Sequence, residues 1–465
     1  MPWTRALQPF PSLGRCGASV ACALAIAGTF SLARPFPAAH GVQHGHPHAP
    51  VAWPEPVDAN PIAITADERT QRVFVLATGP LSKPYRAPTG PGSVSILDAA
   101  TGRLVRTTRV GMDPVQAVLD MTAGRLYVLS QEPFESGTTG PVRPGSVSVL
   151  DAATGALVRT TRVGINAVAL AVDERHGRVF ALAREPQASD DPSSGGTSVL
   201  DAATGALIRT FPRTGGTALA VSARTGRLFV ASALSCPPAR SVDDQVNPGC
   251  LDVIDATTGR RVATHPLSQT VGLRAMAVDD PAGRVVAMQE GMRSGVVDAQ
   301  YASHAAVFDA TTGALLHSAE TSSSRQTYAF ALNVTAGRAA VVVGPDGYDI
   351  QNHSGGADVS VVETRGGRVL RTVGRAVGPS GLAAGVVIDA RTGRVVALTQ
   401  PLSDVRKAPD GLATLTVLDA RTGRLLHTAH GQAGDVALGL DAQRGRLFVA
   451  NARSNTVRML DVVRL

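Results

Sequence analysis

Short apolar runs, separated by turns rich in Gly, Asp and Thr, follow one another through most of the chain, and no long stretch carries the 3.6-residue period of a helix. One stretch sets the rhythm. SVSVLDAATG, at 146–155, returns in close variants whose acids are Asp98, Asp151, Asp201, Asp255, Asp309, Glu363 and Asp419, at intervals of roughly 50 residues. In the second unit the pattern predicts strand A at 115–119, strand B at 125–129, strand C at 146–150 and strand D at 156–163. Tight turns join A to B and C to D; in both, Asp can accept hydrogen bonds from its own turn and Gly can adopt positive φ. The A-to-B element recurs eight times, marked by Arg72, Arg125, Arg178, Arg227, Arg284, Arg338, Arg394 and Arg446. The C-to-D element recurs seven times, and an eighth C strand ends at Asp461.

These units predict an all-β fold, a β-propeller of four-stranded antiparallel blades, because radial repetition leaves only short sheet edges. Eight blades is the expected number, with seven blades and an appended hairpin as the alternative. The last unit lacks most of its D strand, which 462–465 or 51–58 could supply. Antiparallel pairing sharpens the expectation. Strand B begins where C ends, so each Arg should face an acid: Arg72 with Asp98, Arg125 with Asp151, Arg178 with Asp201, Arg227 with Asp255, Arg284 with Asp309, Arg338 with Glu363, Arg394 with Asp419 and Arg446 with Asp461. The result would be a ring of ion pairs on one rim, each worth about 0.2–1 kcal/mol if exposed.

Residues 1–33 read as a signal peptide or an N-terminal anchor: Arg5 and Arg15 precede an apolar run at 17–30, and Ser31-Leu32-Ala33 offers small residues for cleavage. A Pro/His-rich linker at 34–58 follows, and the propeller occupies 59–465. Export places the protein outside the cytoplasm, in the periplasm, in the medium or at the cell surface. Of the four cysteines, Cys236 and Cys250 lie beyond the signal and flank one Pro-rich insertion, where a loop-closing disulfide fits an oxidising compartment. The formal charge of +7 changes little. Its arginines recur at fixed repeat positions with no basic stripe interleaved with aromatics, which argues against a nucleic-acid partner. A membrane enters only through a retained N-terminal segment.

The last unit, RLFVANARSNTVRMLD, resembles the YVTN family of bacterial beta-propeller repeats through Phe448-Val449-Ala450-Asn451 and Ser454-Asn455-Thr456-Val457. That resemblance extends over 61–465 and implies a propeller; relatives include exported binding or surface proteins and lactonase-like propellers, so it implies no single activity. The Asp-Ala-x-Thr-Gly turn is also similar to the repeat of eight-bladed quinoproteins. There a docking Trp follows the turn, whereas this chain has Arg106, Arg159 or Arg209 and no Trp within the repeats.

Long irregular insertions fall between B and C, at 78–92, 131–145, 185–196, 233–249, 290–303, 344–356 and 401–411, so variability is confined to one rim. Loops on a rigid scaffold are where binding residues concentrate. Candidate ligand-binding residues on that face are Tyr85, Arg86, Tyr301, His304, Asp346, Asp349 and His353. No cofactor and no dedicated metal site are called for, although loop acids such as Asp346 and Asp349 could take a divalent cation. No Ser-His-Asp set, phosphate-binding Gly loop or paired-His zinc motif stands out. The expected function is binding of a protein, a glycan or a small ligand through the B-to-C loops, without catalysis. The alternative is a lactonase-like or other metal-dependent hydrolase working at the central channel.

Overall fold

The computed structural model describes residues 55–465, apart from 82–87, 133–142, 185–195, 233–248, 268–269, 293–300, 323–325, 345–356, 375–380 and 402–410. It contains eight four-stranded antiparallel sheets, each ordered A-B-C-D from the axis outwards. Blades 1 to 7 span 61–109, 114–165, 167–212, 218–266, 270–322, 326–373 and 381–430. Blade 8 takes A, B and C from Asp435–Asp441, Arg446–Asn451 and Thr456–Asp461. Its fourth strand is Glu55–Pro56, paired antiparallel with Thr456–Asp461. The ring therefore closes with the end of the Pro/His-rich stretch, while 462–465 forms a turn.

The register agrees with the sequence pattern. In all eight blades the Arg that opens B lies opposite the acid that closes C, from Arg72 opposite Asp98 to Arg446 opposite Asp461. Blade 5 departs from the expected loop boundary. Its B and C strands run as Arg284–Met292 and Tyr301–Asp309, pairing Gln289 with His304 and Met292 with Tyr301. Glu290 and Gly291 break the apolar pattern there, but a hairpin rising above the core needs only backbone partners, not apolar side chains.

A propeller blade has no core of its own; apolar faces are buried between neighbours. Eight clusters of buried side chains each join two consecutive blades. The eighth packs Phe448, Ala450 and Val457 of blade 8 on Ile64, Val73 and Val75 of blade 1, and so seals the ring.

Two repeated backbone features shape the rim that carries the A-to-B and C-to-D turns. In blades 1 to 7 the D strand bulges at its second residue: Val105, Val158, Ile208, Val262, Leu316, Leu370 or Leu426 is skipped in the pairing with C. The C-to-D turn also ends in a Gly with positive φ that abuts the preceding blade. In blade 4, a Cβ on Gly259 (φ +76°) would lie 2.2 Å from the Phe211 ring of blade 3, whereas one on Gly226 (φ +63°), in the A-to-B turn, would meet nothing within 4 Å. Gly226→Ala should therefore cost about 1 kcal/mol for the left-handed backbone alone, and Gly259→Ala about 2 kcal/mol, because overpacking adds to it. Urea unfolding of the two variants checks the difference; equal losses would show that the inter-blade contact yields freely.

Candidate functional site

The two rims differ in kind, and on the turn rim the repeat Arg and the repeat acid are committed to bonds within the ring. In six blades the acid closing C accepts the backbone N–H and the hydroxyl of the Thr three residues on, as Asp201 does from Thr204 at 2.8 and 2.7 Å. The Thr204 hydroxyl is the largest cause holding the Asp201 carboxyl below its usual range. At Asp98, Asp151 and Asp255 burial is the largest influence and acts upwards, but the turn hydrogen bonds and the facing Arg outweigh it.

Ion pairs form in only part of the ring. Arg72–Asp98, Arg125–Asp151 and Arg227–Asp255 meet at 2.8, 2.9 and 3.0 Å, while Arg284–Asp309 and Arg338–Glu363 stand at 3.7 and 4.0 Å. Arg178, Arg394 and Arg446 lie in register with their acids, yet none pairs with its acid within 4.0 Å among the described residues. The guanidinium has a second task that the sequence did not reveal: it donates to the C-to-D turn of the next blade. Arg72 reaches Ala153 O at 3.1 Å, Arg125 reaches Ala203 O at 3.2 Å and Arg338 reaches Ala420 O at 3.1 Å. Arg178 bonds Ala256 O and Thr257 Oγ1, Arg284 bonds Arg365 O, and Arg394 bonds Val462 O. Arg446 of blade 8 completes the circle on Ala99 O of blade 1 at 2.7 Å. Blade 4 substitutes Thr225, whose hydroxyl donates to Ala310 O at 2.7 Å. Repeat Arg and repeat Asp are thus inter-blade latch and turn clasp.

The opposite rim carries the B-to-C connections and lacks this uniformity. Of the sequence-predicted ligand residues, Tyr85, Arg86, Asp346, Asp349 and His353 fall outside the described residues, as does Cys236; Cys250 is disulfide-bonded. Tyr301 opens strand C of blade 5. His304 lies further along that strand, half-buried, in register with Gln289 on one side and Glu320 on the other.

Several acids the sequence did not single out also lie towards this rim, most of them pinned. Asp58 accepts from Ser93 Oγ at 2.7 Å and Arg109 Nη1 at 2.6 Å, fastening the closing segment to blade 1. Burial pushes the Asp58 carboxyl up, but these bonds and the Ala59 N–H hold it below its usual range. Asp252 pairs with Arg261 at 3.1 Å and accepts from Thr264 at 2.6 Å. Asp435 is fully buried against Arg458 and Asn451.

Asp113 is the exception. It precedes strand A of blade 2, where blades 1 and 3 carry Asn60 and Asn166; all three have positive φ, at 39°, 56° and 55° respectively. Each accepts, through its carbonyl, the N–H of a residue just past strand B. Asn60 also donates its amide to Gly79 O at 2.7 Å. The Asp113 carboxylate cannot donate when ionised and has no hydrogen-bond partner among the described residues; burial pushes it up to about 6. An ionisable group under-solvated on a loop rim is the kind of residue that functional sites recruit. Superimposing the repeats around residues 60, 113 and 166 would have exposed it.

At the axis, the hollow between the A strands of blades 1, 6, 7 and 8 is lined by Ile64, Thr65, Ala66, Ala331, Leu332, Val387, Ile388, Gly439 and Leu440. Among the described residues, no group of three or more His, Cys, Asp or Glu is placed to hold a metal ion.

Comparison with known proteins adds the fold and little more. No protein-family profile matches the chain, and no curated protein matches it by sequence. Among solved structures, Sqt1 from Saccharomyces cerevisiae is similar, with a TM-score of 0.57 at 11% identity over 88% of this chain and 98% of that one. BamB from Moraxella catarrhalis aligns with a TM-score of 0.49 at 16% identity over 87% and 99% of the two chains. Hydrazine synthase from Kuenenia stuttgartiensis aligns with a TM-score of 0.49 at 14% identity over 91% and 99%.

Proposed function

We propose that this chain is an exported binding propeller that engages a protein, glycan or small ligand through its B-to-C rim. One observation carries the reading: polar groups on the turn rim are committed blade after blade to the same turn and latch bonds, whereas the connections on the other rim share neither length nor sequence. Those connections run from Ala77 to Ser93, from Ser232 to Cys250 and from Pro401 to Thr414, against the brief link from Asn451 to Thr456 in blade 8. A rigid ring with one variable face is built to present loops. The apolar axial hollow supports binding over a metal-dependent hydrolase at the channel. Asp113 favours the second reading, since a carboxyl raised to about 6 is poised as a general base.

The test is to shorten two connections, Ala183 to Gly196 and Pro401 to Thr414, to the blade 8 link, and to probe wild type and variant on a glycan array and with a panel of lactones and esters. Binding by the wild type that disappears in the variant at unchanged melting temperature is the expected result. Turnover that Asp113→Asn abolishes, or binding indifferent to the shortened loops, would overturn the proposal.

A further inference from the structure

The bulge at the start of strand D has a side-chain identity as constant as its geometry. In all seven blades that carry it, the skipped residue is Val, Ile or Leu. In six of the seven it is solvent-exposed, reaching 49% at Leu316 and 53% at Leu426; the residue before it is aliphatic and exposed in blades 1, 2, 3, 5 and 7. Bulges re-aim side chains. Exposed sheet edges are ordinarily defended with charge rather than with aliphatics, so a ring of outward aliphatic pairs on the outermost strands calls for a covering partner.

The surrounding charge says which. The residue after the bulge is Arg106, Arg159, Arg209 or Arg371 in four blades and His317 or His427 in two more; Glu320 is the sole acid in the seven D strands. The acids that end the A strands on the same rim (Asp67, Asp120, Asp173, Asp279, Asp389 and Asp441) are buried, and those that close the C strands are half-buried in their turns apart from exposed Asp461, so that the fully exposed charge of this rim is mainly guanidinium. Two residues of strand separate the first aliphatic from the Arg, about 7 Å at a rise of about 3.3 Å per residue. That matches the depth over which an interfacial element places apolar groups at the acyl boundary and cations at the phosphates. A single-stranded nucleic acid would use aromatics for stacking, and the only D-strand aromatic, Phe211, is buried.

We propose that the turn rim rests on an anionic phospholipid surface, its D-strand aliphatic pairs at the acyl boundary and its D-strand arginines at the phosphates, with the loop rim facing away. The full-length chain is sedimented with phosphatidylcholine vesicles and with equimolar phosphatidylcholine–phosphatidylglycerol vesicles. Two variants share its N-terminal segment: one carries Leu104→Gln, Leu157→Gln, Leu315→Gln and Leu425→Gln, the other Arg106→Gln, Arg159→Gln and Arg371→Gln. Binding should be selective for the anionic vesicles and fall with salt, and each variant should lose at least tenfold in affinity. As a check that needs no multiple substitution, Leu426→Trp should shift its added emission to the blue on anionic vesicles. Undiminished binding by the aliphatic variant, equal binding to neutral vesicles, no shift at position 426, or tighter binding to duplex DNA would each overturn the proposal.

Discussion

Asp435→Ala should lower the stability of the propeller by about 3–5 kcal/mol, the cost of leaving a buried charge without its partner. Asp435 is fully buried, and its carboxylate accepts from Asn451 Nδ2 at 2.9 Å, from the Gln432 N–H at 2.8 Å and from Arg458. The Arg458 side chain is itself only 14% exposed, and its Nε has no partner, so removing the carboxylate strands the guanidinium. Two consequences separate this account from a simple packing defect. Combining Asp435→Leu with Arg458→Leu should recover much of the loss, since an apolar pair of similar volume removes the stranded charge. Proteolysis near Glu55 should also accelerate in Asp435→Ala, because Arg458 lies in the strand that holds the closing segment. Urea unfolding and timed proteolysis read both; a double variant no more stable than Asp435→Ala would refute the stranded-charge explanation.

Asp113→Asn should act in the other direction and stabilise the protein at pH 7 by about 1–3 kcal/mol. The upper figure follows from a displacement of about two pH units at about 1.4 kcal/mol each, and partial exposure lowers it. Asn tolerates the left-handed backbone at this position, as it does at Asn60 and Asn166. Its amide could donate to the Glu132 carbonyl, as Asn60 does to Gly79. The sign of the pH effect is fixed. The folded carboxyl titrates at about 6 against 3.8 for the ordinary group, so between those values the folded state holds the extra proton. Stability from this residue is then full below about pH 4 and falls as pH rises through 6. Thermal unfolding from pH 4 to 7 should show the decline in wild type and its loss in Asp113→Asn. A decline of the same size in both would place its origin elsewhere.

Much of the scaffold was legible because one pair of residues, the Arg that opens B and the acid that closes C, repeats eight times in the sequence. The spacing from the Arg of B to the acid of C, with turn signals between, is enough to set the register, as in the pairing of Arg338 with Glu363. What the Arg does next was not legible. Arg72 and Ala153 are partners across two blades, and the acceptor is a backbone carbonyl with no side-chain signature. The sequence leaves the closing strand as one of two options, since Glu55–Pro56 has neither alternation nor apolar character and is defined by what it pairs with. Turn chemistry also held where its usual residue is missing: Gln71 takes the positive φ that Gly occupies before Arg in the other seven blades. Asp113 lay hidden for the opposite reason. Its importance is what it lacks beside Asn60 and Asn166, and a single repeat read alone cannot show that.

The closing seam sets a timetable for folding. The Asn60 N–H donates to Asn455 Oδ1 and the Val57 N–H to Asn455 O, so contacts that complete blade 8 span almost the entire polypeptide. Seven blades can assemble from local hairpins as the chain is made, each burying its face on the one before. The eighth must wait for residues around 455 to find residues around 57, a loop closure about 400 residues long whose entropic penalty grows only slowly with length. Until that encounter the assembly is an open arc with apolar faces bare at both ends, and closing the seam removes both at once.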